Sequence, residues 1–287
     1  MKKFFFNIAD LTREEITAIL DQNETSKCLQ DKSIGLIFEK YSTRTRLSFA
    51  VGISSLGGNA ININFQDLNI SRDETFEDTF LAMNCYLDGL VYRTNNHKKL
   101  LQASKFFEKP IINALSDISH PCQILGDLLT LKENFGSLNS HILWIGDVNN
   151  VCFSLFEAAK LFEEIRLIIC SPLSLTKQIN WEPSHNISFI NSLDFVDLSS
   201  VNCVMTDVFI SMNDEENEKK KELLRPYTVN SNLMNRTASN SIFMHCLPAK
   251  VGLEVSEEVF RSSRSIVWRQ AYNRMIAQKK LLHLMYR

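Results

Sequence analysis

Phe38-Glu39-Lys40-Tyr41-Ser42-Thr43-Arg44-Thr45-Arg46 follows the apolar run Ser33-Ile34-Gly35-Leu36-Ile37 and precedes an amphipathic run over residues 47–56. The pattern reads as a strand, a polar turn and a helix. At such a junction the first N–H groups of the helix lack intrahelical partners and carry partial positive charge, which favours an anion. Arg44 and Arg46 add guanidinium forks, and Ser42, Thr43 and Thr45 add hydroxyl donors suited to a tetrahedral anion. An N-cap followed by solvated arginines is the plain alternative, and the rest of the chain has to decide.

Outward from this stretch, strands and helices alternate. Towards the N-terminus, Leu11-Thr12-Arg13-Glu14-Glu15-Ile16 has the spacing of a capping box with a hydrophobic staple, so a helix starts there. After it, Leu47, Ala50, Val51 and Ser54 share one face of the helix that Gly57-Gly58 ends, and Ile61, Ile63 and Phe65 alternate with Asn62 and Asn64 as in a strand. A polar loop over 66–74, a helix over 75–87, a strand over 89–92 ending at Arg93, a helix over 97–107 and a strand over 110–113 follow. Pro121 opens the next helix, which runs through 124–131.

Residues 134–140 are polar and mark a boundary. Beyond them the alternation restarts, with strands at 141–145, 166–170, 203–206 and 242–244, a helix at 151–162, an uncertain segment near 187–190 and a closing helix at 272–285. The highly charged stretch 214–224 reads as a solvated helix or a loop. The fold class is therefore α/β, with two domains that each hold a parallel sheet flanked by helices.

The 287 residues suit two medium domains, with 45% hydrophobic and 22% charged residues, and the formal net charge of −2 gives no basic field for nucleic acid or an anionic membrane. Seven scattered Cys without a C-x-x-C pair argue against a disulfide framework or structural zinc and for a reducing, cytoplasmic setting. The apolar start Met1-Lys2-Lys3-Phe4-Phe5-Phe6 is too short for a signal peptide, and no stretch approaches a membrane span.

Ligands of open parallel sheets bind beyond the carboxyl ends of the strands, and the unusual polar clusters all fall there. They are 42–46, Arg93, His120 with Gln123, Asp147 with Asn149 and Asn150, Asp207 with Ser211, and His245-Cys246-Leu247-Pro248. Alone, each has a plain reading: Arg93 as a surface charge, His120 as a helix cap, Asn149 and Asn150 as turn formers, Cys246 as a small buried residue. The first half offers Arg44, Arg46, Arg93 and His120, suited to a phosphate and a carbonyl oxygen. The second offers Asn150, Asp207, Ser211 and Cys246, suited to an amino acid or amine. Together they suggest a phosphorylated donor facing an amine acceptor across an interdomain cleft. There is no Walker A loop and no G-x-G-x-x-G, and Gly146 is a lone glycine after a strand.

Ser42-Thr43-Arg44-Thr45-Arg46, His120-Pro121-Cys122-Gln123 and His245-Cys246-Leu247-Pro248, in this order and at these separations, resemble the aspartate/ornithine carbamoyltransferase family. The two Cys-containing elements, with Asp207-Val208-Phe209-Ile210-Ser211-Met212 and Asp147-Val148-Asn149-Asn150, resemble its ornithine branch. The resemblance implies a carbamoyl phosphate domain over 1–134, with 265–287 packing back on it, and an ornithine domain over 141–264. It implies that Ser42, Thr43, Arg44 and Thr45 hold the phosphate, while Arg93, His120, Gln123 and Arg274 contact the carbamoyl end. It further implies that Asn150, Asp207, Ser211 and Met212 bind L-ornithine and that Cys246 and Leu247 line the reacting centre, with Arg93, His120 and Cys246 catalytic. No metal or other cofactor is required, and a homotrimer is expected.

The chain departs from the family pattern at Asn213, where a Gly usually follows Ser-Met, and at Trp268-Arg269-Gln270-Ala271-Tyr272, which usually carries acidic residues. It is also somewhat short for the family. A carbamoyltransferase for another acceptor and a catalytically silent ligand-binding relative are the rival readings.

Overall fold

The computed structural model describes residues 2–22, 26–71, 73–194, 196–210 and 218–287. The chain forms two compact units, residues 1–129 with 272–287, and residues 130–271.

In the first unit five strands, β1 (Phe4–Phe5), β2 (Ser33–Phe38), β3 (Asn59–Asn64), β4 (Gly89–Arg93) and β5 (Ile111–Leu115), form a parallel sheet in the order β1-β5-β4-β2-β3. β2 is flanked on both sides, and Ile34 to Phe38 are buried without interruption, as a central parallel strand requires. The apolar N-terminus is used as a strand, with Phe4 in register with Ile111. β3 lies at the other edge and exposes Asn59, Asn62 and Asn64, which blunts the edge with polar side chains. The direction of winding changes between β2 and β4, and the register pairs Phe38 with Arg93.

The helices of this stretch are α1 (Arg13–Asp21), α2 (Thr43–Ser55), α3 (Phe76–Tyr86), α4 (His97–Phe106) and α5 (Pro121–Phe135). Thr12 and Glu15 form the expected capping box on α1. The phosphate-like motif differs from the sequence reading in its local form: Ser42 is the N-cap, so Thr43 to Arg46 make the first helical turn. The buried face of α2 also differs. Thr45, Phe49, Gly52 and Ile53 face the core, whereas Leu47 and Val51 are exposed. Phe49 and Ile53 supply the larger i,i+4 apolar pair, and Gly52 lets the helix approach Lys279, whose Cγ would lie 3.3 Å from an added Cβ. In place of a plain loop over 66–74, the chain makes short 3₁₀ turns at Phe65–Asp67 and Asn69–Ser71.

The second unit contains β6 (Ser140–Ile145), β7 (Ile165–Cys170), β8 (Ile187–Ile190), β9 (Cys203–Thr206) and β10 (Ile242–His245), all parallel in the order β10-β9-β6-β7-β8. Its winding changes between β6 and β9. The helices are α6 (Asn150–Leu161), α7 (Leu173–Thr176), α8 (Glu218–Leu224), α9 (Ser231–Arg236), α10 (Glu257–Arg261) and α11 (Val267–Met285). Its core gathers Leu143, Ile145, Val204, Phe243 and Val255 with residues of the flanking segments. The C-terminal helix α11 starts before residue 272, and its remainder, 272–287, belongs to the first unit. No helix among the described residues is long and apolar enough to cross a membrane.

Candidate active site

In the first unit the switch in winding separates the loop after β2 from the end of β4, and this is where the cations gather. Glu39 N–H donates to Arg93 C=O at 3.1 Å, tying the two segments together. Arg93 Nη1 donates to Ser42 Oγ at 3.0 Å, so the N-cap hydroxyl of α2 is turned towards the guanidinium and makes no cap bond of its own. Arg274, on the part of α11 that belongs to this unit, donates from Nη2 to Thr45 Oγ1 at 2.9 Å. Arg93, Arg274, Thr45, His120 and Gln123 are all buried. α5 can approach α11 this closely because residue 126 is Gly: an added Cβ would lie 2.9 Å from Arg274 Cα.

Burial, with the Arg274 and Arg93 charges beside it, holds the His120 imidazole well below its ordinary pKa, so it is neutral at pH 7. A neutral imidazole beside two guanidinium groups has an N–H to donate without adding a third positive charge. Arg44 is half-buried on the first turn of α2, and Thr43 is exposed there. Arg46 is placed differently: it stacks on Phe38 at 4.5 Å and donates to Asn62 Oδ1 at 3.2 Å, so it braces α2 against β3.

Sequence reasoning missed Glu39 as a functional position, although it lies inside the quoted motif. Its buried carboxylate accepts from Tyr92 Oη at 2.7 Å, Thr94 Oγ1 at 2.9 Å and Lys99 Nζ at 2.9 Å, which fixes the loop that leads to Ser42.

In the second unit the corresponding switch lies between the ends of β6 and β9. Gly146 has φ of +123°, and an added Cβ would meet a Phe209 ring carbon at 2.9 Å, so glycine is needed to turn the chain into Asp147. Asn149 caps α6 through its side-chain oxygen, which accepts from Val151 and Cys152 N–H. Its Nδ2 donates to Asp207 Oδ2 at 2.7 Å, and Cys246 Sγ donates to Asp207 Oδ1 at 2.9 Å. Asp207, Asn149 and Cys246 are thus brought together, with Asn150 next to them as the first residue of α6. Asp147 pairs with Lys220 at 2.9 Å. Ser211, Met212 and the variant position Asn213 lie outside the described residues.

The 245–248 element is held from behind. His245 N–H donates to Gln270 Oε1 at 2.8 Å, and His245 Nδ1 accepts from Leu247 N–H at 2.9 Å. The Nδ1 acceptor role leaves the proton on Nε2, which faces Glu254 Oε1 at 3.4 Å. Leu247 has φ of +61°, a left-handed conformation that costs a non-glycine residue about 1 kcal/mol or more. The departures before Asn273 acquire plain structural roles: Gln270 holds His245, and Arg269 makes a two-pronged pair with Glu133. Asp207, His245 and Cys246 offer ligand atoms within 4.8 Å of one another. With His245 Nδ1 taken by Leu247 and Nε2 turned to Glu254, this trio does not present a free imidazole ligand.

A neutral imidazole and two buried guanidinium groups beside a helix N-terminus are chemically suited to an anion with a carbonyl group, and the Asp, Asn and Cys cluster of the second α/β unit is suited to an amine. The chain belongs to the aspartate/ornithine carbamoyltransferase family, whose carbamoyl-P binding domain matches residues 3–133 and whose Asp/Orn binding domain matches 138–285. Among its relatives, the ornithine carbamoyltransferase of Ruthia magnifica is 38% identical, with 98% of each chain covered. That of Methanosphaera stadtmanae is 38% identical over 95% of this chain and 94% of its own. Solved structures agree: the ornithine carbamoyltransferase from Pyrococcus furiosus superposes with a TM-score of 0.88 at 34% identity, covering 99% of this chain and 97% of its own. An anabolic ornithine carbamoyltransferase from Campylobacter jejuni gives 0.87 at 34% identity over 98% and 97%.

Proposed function

We propose that the chain transfers the carbamoyl group of carbamoyl phosphate to the δ-amine of L-ornithine, giving L-citrulline and phosphate, in arginine biosynthesis. The reading is carried by the group formed by Arg93 with Ser42, Arg274 with Thr45, and the buried, neutral His120, gathered at one strand switch. In this assignment Ser42, Thr43, Arg44 and Thr45 take the phosphate, and Arg93, His120, Gln123 and Arg274 take the carbamoyl end. Asn150, Asp207, Cys246 and Leu247 bind ornithine, together with Ser211 and Met212.

The chemistry follows from these groups. The amine nitrogen attacks the carbamoyl carbon only after losing its proton, since a free alkyl ammonium titrates near 10.4. Asp207 orients the amino acid, and Cys246 lies against the reacting amine. As the new C–N bond forms, negative charge builds on the carbonyl oxygen, where Arg93 and His120 donate; such a donor is worth roughly 3 to 4 kcal/mol. The bond between the carbamoyl carbon and the phosphate oxygen then breaks, the proton shed by the attacking nitrogen passes to the departing phosphate, and the phosphate leaves into the Ser42 to Thr45 cradle, stabilised by Arg44 and the N-terminus of α2.

Incubation of the pure protein with carbamoyl phosphate and ornithine should yield citrulline; none above background from folded protein would sink the reading. Parallel assays with aspartate, putrescine and an acylated ornithine separate the acceptors. We further propose a homotrimer in the cytoplasm. The exposed Leu47, Val51, Leu81 and Tyr86 of the first unit and the seven free thiols support this. Light scattering coupled to size exclusion tests the trimer.

A further inference from the structure

Gln123 and Asp127 lie one turn apart on α5, both with no exposed surface. Gln123 Nε2 donates to Asp127 Oδ1 at 2.8 Å. Among the described residues, the buried Gln123 Oε1 has no hydrogen-bond partner. A primary amide has nearly the same shape in either flip, so packing alone does not choose between them. A carboxylate oxygen does choose. It only accepts, so it takes the N–H₂ end and turns the carbonyl oxygen to the opposite side of the amide plane. A buried acceptor without a partner is costly until a donor arrives.

A carbamoyl group carries an acceptor and a donor on one carbon, its C=O and its NH₂. Arg93 and His120 supply donors for the oxygen, and an oriented acceptor is what the NH₂ requires. We propose that Asp127 is a positioning residue that fixes the flip of the Gln123 amide, so that Oε1 receives the carbamoyl N–H and the protein selects carbamoyl phosphate over acyl phosphates carrying a methyl group there. The proposal rests on the carbamoyl transfer inferred above. It extends it by naming what sets donor selectivity: a site built around a hydrogen bond rejects an analogue that lacks the donor, because the buried acceptor is then left unpaired.

The test compares KM for carbamoyl phosphate with the competitive Ki of acetyl phosphate and of inorganic phosphate, in the wild type and in Asp127→Asn. The variant is nearly isosteric, but its amide both donates and accepts, so Gln123 is free to flip. The wild type should favour carbamoyl over acetyl phosphate by at least about tenfold, as for one oriented hydrogen bond. In Asp127→Asn that preference should shrink about tenfold, with the Ki of inorganic phosphate unchanged within about twofold. Asp127→Glu keeps an acceptor-only carboxylate and should retain the preference. An unchanged preference in Asp127→Asn, equal weakening of all three ligands, or a wild type that binds acetyl phosphate as tightly as carbamoyl phosphate would overturn the assignment. Failure of the broader reading looks different: wild-type protein would then make no citrulline and show no competition by inorganic phosphate.

Discussion

The two strand switches use the same topology for opposite chemistry. In the first unit, buried cations donate to neutral hydroxyls, Arg93 to Ser42 and Arg274 to Thr45. Those guanidinium groups gain when an anion replaces or joins the hydroxyls, because a charge-assisted bond is about twice as strong as a neutral one. In the second unit the central charge is an anion, and Asp207 is already engaged by Asn149 and Cys246. An amine or amino acid arriving there would share the remaining carboxylate lone pairs with protein donors. The first switch therefore holds cations that stand to gain from an anion, and the second holds an anion that protein donors already stabilise. Binding to the first should depend steeply on single cations, and binding to the second more mildly on any one side chain.

Arg44→Ala should show the largest effect, more than about 100-fold in kcat/KM for carbamoyl phosphate, for loss of a phosphate contact worth roughly 3 kcal/mol. Steady-state kinetics with each substrate varied in turn checks it, and a near-wild-type rate would remove the phosphate assignment. His120→Ala should lower kcat by about 100-fold, while His120→Asn, which keeps a neutral donor, should lose less.

The same histidine sets a pH dependence. Its folded pKa lies well below the ordinary value of 6.5. The unfolded chain thus takes up a proton that the folded one refuses, and the folded state keeps its full margin only above about 6.5. As pH falls below that value, stability should decline by up to about 1.4 kcal/mol per unit from this group. Denaturation at pH 7.5 and 5.5 should show less acid sensitivity in His120→Asn than in the wild type.

Cys246→Ser should raise KM for ornithine by about tenfold, the scale of one hydrogen bond, and leave carbamoyl phosphate binding intact. Equal loss for both substrates would erase the contrast between the halves. The smallest change belongs to Thr12→Ala, which removes the N-cap of α1 and should cost about 1 kcal/mol in unfolding free energy with no change in citrulline formation.

Alternation of strand and helix, and the fall of each polar cluster at a strand end, are local patterns; they made the two parallel sheets, the capping box on α1 and the 42–46 motif legible in the sequence. Which face of α2 is buried was not legible, because Leu47 with Val51 and Phe49 with Ile53 both satisfy the helical period and only tertiary packing, which buries Phe49, Gly52 and Ile53, decides between them. Arg46 shares its motif with Arg44, yet a ring and an edge strand draw it aside. The pair of asparagines after Asp147 reads as one element, and geometry gives the Asp207 bond to Asn149. The contact of Arg274 with Thr45 joins residues 229 positions apart, and the His245 ring is fixed by Glu254 and Leu247. Sequence by itself determined the elements and the kinds of charge at their ends, since these depend on neighbours along the chain. Tertiary structure alone decided which of those groups meet and which atom of each makes the contact, because burial and hydrogen-bond geometry depend on neighbours in space.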